Sequence, residues 1–178
     1  QHRTKNGKDQ CNGLIGPAWN IEALLYADKK IGSPLARNLA RDLFLMHPYD
    51  EENCIWHRVE PNGKILPIDS TFNHQLWFAA SAAPLAKEIP EVAERINKFL
   101  YKLKDNWCIA RNGRIVHPLW IPRIRFRESV KRLIKPKYRK EFILKEVGYH
   151  TFNLLAFAML NNSPVIIPQV VRSRIDLA

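Results

Sequence analysis

The feature that most constrains the fold of this chain is an Asn-Gly turn that recurs along it. Three similar settings carry it: Lys5-Asn6-Gly7-Lys8, Pro61-Asn62-Gly63-Lys64 and Arg111-Asn112-Gly113-Arg114. Asn-Gly favours a type I′ hairpin turn, because both central residues of that turn need positive φ. The second and third copies also share a preceding Cys-Ile pair, a basic residue and Ile directly after the turn, and a later proline. We therefore interpret the turns as an internal repeat.

Apolar helices are predicted after these turns, opening at Pro17, Phe72 and Tyr149. A helix that is apolar nearly all round must be buried on most faces, so we expect these three to lie innermost. Pro17 suits a first helical turn, where its missing N–H costs nothing. For the second helix, Asp69, Ser70 or Thr71 can provide the N-terminal cap.

Two further segments, 34–46 and 90–105, have a one-sided pattern typical of surface helices. Their apolar residues recur at spacings of three and four, and we expect these side chains to face the core. They are Leu35, Leu39, Leu43 and Met46 in the first segment, and Val92, Ile96, Phe99, Leu100 and Leu103 in the second.

Hairpin, buried helix, short link and exposed helix thus form one unit of about fifty to seventy residues, an order-of-magnitude length for a helical repeat. Such an alternation describes a ring of helical hairpins rather than a four-helix bundle. We predict a mainly α fold, a partial (α/α) toroid of about three hairpins that forms one domain over 1–178. Because three units do not close a six-unit ring, we expect either a fragment of a larger barrel or an assembly of chains, for example a homo-oligomer.

Composition places the chain among globular proteins, because 46% of its residues are hydrophobic and no stretch is long and apolar enough to span a membrane. Three scattered cysteines, Cys11, Cys54 and Cys108, form no disulfide framework. We therefore expect a soluble protein of the reducing cytoplasm, with a secreted mature form left open.

The positive charge is concentrated in one segment, since 123–145 holds ten Lys or Arg against Glu128 and Glu141. This supplies +8 of the net charge of +11. A solvated helix face explains such a run, and so does a surface for an acidic polymer or nucleic acid. No recognised nucleic-acid module accompanies it, so a nucleic-acid partner ranks below the other interpretations.

Three stretches, 11–24, 72–79 and 149–154, resemble the six-hairpin glycosidase superfamily. The pattern is most similar to poorly characterised proteins of polysaccharide-biosynthesis clusters. It is more distantly similar to unsaturated glucuronyl hydrolases and the N-acylglucosamine 2-epimerase group. The resemblance implies an (α/α)6 barrel with a sugar-binding cavity at one mouth, walled by aromatic residues at the inner-helix N-termini. The chain lacks the tryptophan-rich aspartate motif that carries general acid chemistry in unsaturated glucuronyl hydrolases, so the resemblance does not by itself imply catalysis.

Sugar hydrolysis normally needs two carboxyl groups, one protonated and one ionised. The candidates near inner-helix starts are Asp9, Glu22 and Asp69. Asp9 precedes the first inner helix, where a turn or capping role is the alternative to catalysis. Glu22 stands in an otherwise apolar helix, so we expect a buried carboxylate, either a general acid of raised pKa or half of a structural ion pair. Asp69 is most simply a helix cap.

Two histidines, His74 and His150, each stand near the start of a predicted inner helix. If those helices run parallel, both imidazoles face one rim of the cavity. Epimerase-type chemistry moves a proton on carbon and uses such groups as base and acid near neutral pH. Capping and packing explain the same positions equally well.

Aromatic and amide side chains at the same helix starts are candidates for stacking on, and hydrogen bonding to, a saccharide. We assign this role to Trp19, Asn73, Trp77, Tyr149 and Asn153. No Gly-rich phosphate loop, H-E-x-x-H or paired-cysteine pattern occurs in the sequence, so we expect neither a cofactor nor a metal.

The sequence thus predicts a carbohydrate-active protein of polysaccharide metabolism, either glycoside hydrolase-like or sugar epimerase-like. A non-catalytic sugar-binding or scaffold protein of the same fold is the first alternative. An acidic-polymer or nucleic-acid binder acting through 123–145 is the second.

Overall fold

The computed structural model of the protein describes residues 9–122, 124–126, 130 and 136–176, without the side chains of 136–142 and 145. It is mainly helical, as predicted, with one small sheet. In chain order the elements are α1 (Ile15–Ile31), α2 (Pro34–Leu45), β1 (Tyr49–Asp50), β2 (Ile55–Val59), β3 (Ile65–Ile68), α3 (Phe72–Ala82), a 3-10 helix (Ala83–Lys87), α4 (Pro90–Asn106), α5 (Pro136–Asn161) and α6 (Gln169–Ile175).

The three strands form an antiparallel sheet in sequence order, and the predicted hairpin joins β2 to β3. Its turn is not type I′, because that turn needs positive φ at both Asn62 and Gly63, and Asn62 has a negative φ. Gly63 alone has positive φ in this turn, at 84°, and its N–H donates to Glu60 O at 2.8 Å. The geometry is that of a type I turn followed by a left-handed glycine.

The third predicted turn has the same geometry as the second. Gly113 has a φ of 81° and its N–H donates to Ala110 O at 3.0 Å, while Ile109 and Ile115 form a bridge across the turn. The repetition inferred from the sequence therefore extends to backbone conformation at these two sites. The first predicted turn, 5–8, lies outside the described residues.

Helix α3 is the centre of the core, and it begins at Phe72 as predicted. Every one of its residues except His74 is buried. Phe78 stacks on Phe44 of α2 with ring centroids 5.0 Å apart, and it meets Trp56 of β2 edge-on at 5.6 Å. Gln75 ties the helix to the sheet, because its amide nitrogen donates to Trp56 O and its amide oxygen accepts from Trp56 N, each at 2.9 Å.

The other two predicted inner helices are less buried than expected. Trp19 and Tyr26 on α1 are 53% and 62% exposed, and α5 leaves Leu144 and Leu155 in solvent. The reason is the number of neighbours: α3 packs against both α1 and α5, and it also contacts α2 and α4. Burial on most faces is therefore confirmed for α3 and wrong for α1 and α5.

Helix α5 also begins earlier than predicted, at Pro136 instead of Tyr149. Residues 136–148 contain many good helix formers, and one internal glycine, Gly148, costs only about 1 kcal/mol. The basic run 123–145 lies mostly outside the residues whose side chains are described, so its two interpretations stay predictions.

The two surface helices differ in how well the pattern assigned their buried face. In α4 the predicted residues Val92, Ile96, Phe99, Leu100 and Leu103 are all buried. In α2 the expectation is wrong, since the buried residues are Ala36, Ala40 and Phe44 while Leu35, Leu39 and Met46 are exposed. The small side chains of Ala36 and Ala40 allow α2 to pack closely against its neighbours. The prediction was based on large apolar residues and therefore missed these alanines.

Helices α1 and α2 form a tight helical hairpin. Gly32 ends α1 in the left-handed conformation, and the Oγ of Ser33 accepts from Ala36 N to cap α2. Arg37 of α2 binds Asp28 of α1 and Glu88 beyond the 3-10 helix. In the part of the chain that the structure describes, no helix is long and apolar enough to cross a bilayer.

Candidate active site

A cleft of about 350 Å³ opens where the loop before α1 meets the β2–β3 hairpin and the N-terminus of α3. Its lining includes three residues that the sequence singled out for chemistry, Asp9, Asp69 and His74. The sequence places these residues up to sixty-five positions apart, and the fold brings them to one cleft.

Asp69 is a buried carboxylate held by three donors. Its Oδ2 accepts from Leu14 N at 2.9 Å and from His74 Nδ1 at 2.8 Å, while Oδ1 accepts from Thr71 N at 3.0 Å. Burial disfavours the charged carboxylate, but the hydrogen bonds and the neighbouring imidazole outweigh it and hold the pKa of Asp69 below its usual value. Asp69 is therefore an ionised acceptor.

The N-terminus of α3 lacks the side-chain cap expected from Asp69, Ser70 or Thr71. Thr71 is the N-cap residue and makes no side-chain cap hydrogen bond. The N–H of Phe72 donates instead to His117 O at 2.8 Å, which comes from the segment after the third turn. Since this carbonyl satisfies a helix-end N–H, Asp69 is free to bind His74.

His74 is the only described α3 residue that is not buried, and it lines the cleft. Because ionised Asp69 only accepts, the 2.8 Å contact assigns a proton to Nδ1 of His74. Whenever the imidazole is in its neutral form, Nε2 then carries the lone pair. A carboxylate that fixes the tautomer and orientation of a histidine is a common arrangement for general base catalysis.

Gly13 packs directly against this pair. Its φ is 67°, and a Cβ built on it would lie 2.4 Å from Asp69 Oδ2 and 2.5 Å from His74 Nδ1. Both the left-handed conformation and the contact distance therefore require glycine here. The Cys11-Asn12-Gly13 string carried the family resemblance, but nothing in it indicated contact with residues 69 and 74.

Asp9 lines the same cleft, and both of its carboxylate oxygens also accept hydrogen bonds. Its Oδ1 accepts from Gly13 N at 2.8 Å, and its Oδ2 accepts from the guanidinium of Arg58. Arg58 in turn donates through Nε to Pro67 O at 3.1 Å across the hairpin. Sequence reasoning missed Arg58, because one arginine in an alternating strand carries no signal of its partner.

A larger cleft of about 810 Å³ adjoins the first one and shares Asp9 and Asn12 with it. Trp19 lines this larger cleft and is half-exposed. The lining of this cleft combines apolar side chains from α1, α2 and the hairpin with carboxamide and carboxylate groups. The apolar lining residues are Pro17, Leu43, Met46, Val59 and Pro61, and the polar ones include Gln10, Asn12, Asn20 and Glu60.

Glu60 anchors the loop before α1 to the hairpin. Its carboxylate accepts from Gln10 N at 2.9 Å and from Cys11 N at 3.1 Å. Burial, together with the charges of Asp9 and Glu60, raises the pKa of the Cys11 thiol to about 11. Cys11 is thus a thiol at neutral pH, in a structural position.

The remaining predicted site residues lie away from both clefts. Glu22 is exposed on α1, so the expected burial is wrong, because α1 has a solvent face. Asn73, Trp77 and Asn153 are buried, and Trp77 contacts Phe152 with ring centroids 5.7 Å apart.

Tyr149 and His150 belong to the middle of α5, since that helix begins at Pro136. Tyr149 stacks on His117 at 5.3 Å, and His150 is half-buried. Neither residue lines the two clefts that hold Asp9. Among the described residues no group of three His, Cys, Asp or Glu is placed to hold a metal ion.

Comparison with curated proteins finds one named archaeal glycosylation protein Q, from Haloferax volcanii. It is 38% identical over 177 residues, a match that covers 90% of the chain and 48% of the relative. The chain therefore spans about half the length of this curated relative. No protein-family model matches the chain. No solved structure matches it significantly.

Proposed function

We propose that the chain belongs to a carbohydrate-active protein of glycosylation, and that His74 transfers a proton on a saccharide bound in the two adjoining clefts. The observation that carries this proposal is the Asp69–His74 pair, joined at 2.8 Å on the wall of a cleft. The relative's name, which associates it with glycosylation, supports a saccharide as the ligand.

The clefts have the chemistry that a sugar ring needs. Pyranose rings present apolar C–H faces to aromatic side chains, and Trp19 offers an exposed indole for such stacking. Asn12, Asn20 and Glu60 supply donors and acceptors for hydroxyl groups along the same wall. The shared residues Asp9 and Asn12 connect this binding region to His74.

Proton transfer by an imidazole fits this site better than a pair of carboxyl groups. A glycosidase needs one carboxyl group that keeps its proton. Asp69 is ionised, and Asp9 accepts hydrogen bonds on both oxygens, one of them from the guanidinium of Arg58. His74 Nε2, by contrast, can accept a proton from a sugar C–H next to a carbonyl group. The electron pair of the broken bond then moves into an enolate, and return of a proton to carbon completes the exchange.

Hydrolysis is the second candidate, because Asp9 and Asp69 line the same cleft as His74. Both reactions agree with the family resemblance, which includes hydrolases and an epimerase group. The (α/α) toroid implied by that resemblance stays part of the proposal, with α1, α3 and α5 as successive inner helices.

Isotope incorporation separates these reactions in one experiment. The protein is incubated with a panel of neutral, amino and acidic monosaccharides and disaccharides, once in D₂O and once in H₂¹⁸O, and the sugars are analysed by mass spectrometry. We expect deuterium at a carbon position with the native protein, and a loss of at least about a hundredfold in His74→Gln, since general base catalysis contributes on the order of 10² to 10⁴. His57→Gln is the matched control, because His57 is half-buried on β2 and lines neither cleft.

Each other outcome has a definite meaning. Incorporation of ¹⁸O into a cleaved disaccharide supports hydrolysis and contradicts proton transfer on carbon. Binding of a saccharide by calorimetry without either isotope supports a non-catalytic protein. Absence of binding across the panel contradicts a saccharide ligand of these classes.

A further inference from the structure

The helical hairpin α1–α2 leaves an apolar groove open to solvent. The groove measures about 730 Å³ and runs between the two helices. Its apolar lining consists of Ala23, Leu24, Ala27, Leu39, Leu43 and Met46. Leu39 is 48% exposed, and Leu35 one turn earlier is exposed as well. This groove is the face that the sequence pattern assigned to the core.

A second apolar face lies on α5. Leu144, Val147 and Leu155 are exposed along this helix, and Phe152 is half-exposed beside them. Helix α3 packs against both α1 and α5, so the groove and the α5 face belong to two helices that share α3 as a neighbour.

Exposed apolar faces of this kind are unusual at the ends of a helical array. Stacked helical repeats normally finish in a polar outer face, because a terminal repeat has a neighbour on one side only. The outer faces of the α1–α2 hairpin and of α5 are instead apolar. Contiguous apolar patches on a protein surface mark sites of interaction.

We propose that a further segment of the same gene product, about as long as this chain, packs against both the α1–α2 groove and the α5 face. The match covers 48% of the relative, so about as many of the relative's residues again lie outside it in one polypeptide. A segment of that size is sufficient to cover both apolar faces. It would also wall the open side of the larger cleft, which shares Asn20, Leu43 and Met46 with the groove.

Site-specific photocrosslinking of the full-length gene product tests this proposal. The photoreactive residue p-benzoylphenylalanine replaces Leu39 in one variant and Leu155, which is 51% exposed, in another. Ile65 is the matched control position, because it is 61% exposed on β3 and belongs to neither face. We expect crosslinks from positions 39 and 155 to peptides outside the 178 residues and within one polypeptide, and none from position 65.

Three results would overturn the proposal. Crosslinks that join two polypeptides in a denaturing gel would assign the faces to a second copy. If the photoreactive residues formed adducts only with solvent, no further segment would cover the two faces. The same conclusion would follow from a reading frame that ends within these 178 residues. None of these outcomes depends on the saccharide chemistry, so the proposed function stands or falls separately.

Discussion

Helices α3 and α1 are both rich in apolar residues, yet the fold treats them differently. Helix α3 is buried at every residue except His74, whereas α1 leaves Trp19 and Tyr26 largely in solvent. The difference comes from the number of neighbours, since α3 contacts α1, α2, α4 and α5. Apolar composition therefore indicates that the side chains of a helix favour burial. Whether they are buried depends on how many other elements of this part of the chain pack against the helix.

The same comparison explains where the reactive group stands. His74 extends from the most completely buried helix, and Asp69 holds its ring from the preceding loop. Sites carried by rigid, well-packed elements keep their geometry better than sites on loops. Trp19, on the partly exposed helix, is proposed to bind the saccharide, a role that demands less fixed geometry than proton transfer.

The largest expected effect is on the core around α3. Phe78→Ala should lower the free energy of unfolding by about 3–5 kcal/mol, because it removes a fully buried ring that meets Phe44 and Trp56. Tyr101→Ala is the control on α4, where Tyr101 is exposed and its ring lies under the ammonium group of Lys104. We expect about 1 kcal/mol or less there. Urea denaturation measures both, and equal losses would contradict the contrast between buried and exposed rings.

Substitution of Gly13 tests the fit between the loop and the Asp69–His74 pair. Gly13→Ala should cost about 2–4 kcal/mol, since it combines left-handed strain of about 1–2 kcal/mol with a steric clash. Gly63→Ala is the control, because Gly63 also has positive φ but an added Cβ there meets nothing within 4 Å. It should show the strain alone in the same denaturation experiment. Equal losses of unfolding free energy in the two variants would contradict this expectation. They would mean that the 2.4 Å contact between the added Cβ of residue 13 and Asp69 Oδ2 is relieved at no energetic cost.

Acid should weaken the protein through Asp69. The folded-state pKa is lowered, so ionised Asp69 contributes stability that is fully present above the ordinary pKa of 3.8 and is lost as the pH falls through the folded value. Asp69→Asn should remove that part of the acid dependence and cost about 1–3 kcal/mol at neutral pH. Asp105→Asn, in an exposed pair with Lys102, should cost at most about 1 kcal/mol. An unchanged acid dependence in Asp69→Asn would contradict the assignment.

The smallest effect is expected for Trp19. Trp19→Ala should change stability by less than about 0.5 kcal/mol because the side chain is half-exposed. It should weaken saccharide binding by about 0.5–1.5 kcal/mol if the indole stacks on the ring. Tyr26→Ala removes an exposed aromatic ring from the same helix but outside the clefts. Calorimetric titration compares the two variants, and equal affinities would remove Trp19 from the binding surface.

The sequence predicted the elements whose signals are local. The start of α3 at Phe72, the buried face of α4 and the two described turns follow from punctuation and from spacings within a few residues. The buried face of α2 did not follow, because Ala36 and Ala40 carry little hydrophobic signal and their burial depends on α1.

In the candidate site, too, some residues were predicted from local sequence signals and others were missed. Asp9, Asp69 and His74 were singled out by residue type and position, whereas Gly13, Arg58 and Glu60 act through contacts with residues about fifty positions or more away. Periodicity cannot report such contacts. The prediction that His74 and His150 face one cavity rim was wrong. Helix α5 begins at Pro136, so His150 lies in the middle of that helix instead of at its start.

The central claim is that Asp69 presents His74 to the cleft with its Nε2 lone pair available to a saccharide. Nitrogen-15 NMR of the histidine-labelled protein observes both ring nitrogens directly. The account predicts a neutral His74 protonated on Nδ1, and a change at Nε2 when a bound saccharide is added. A His74 that carries its proton on Nε2, or whose Nε2 resonance is unmoved by a saccharide that binds, would contradict it.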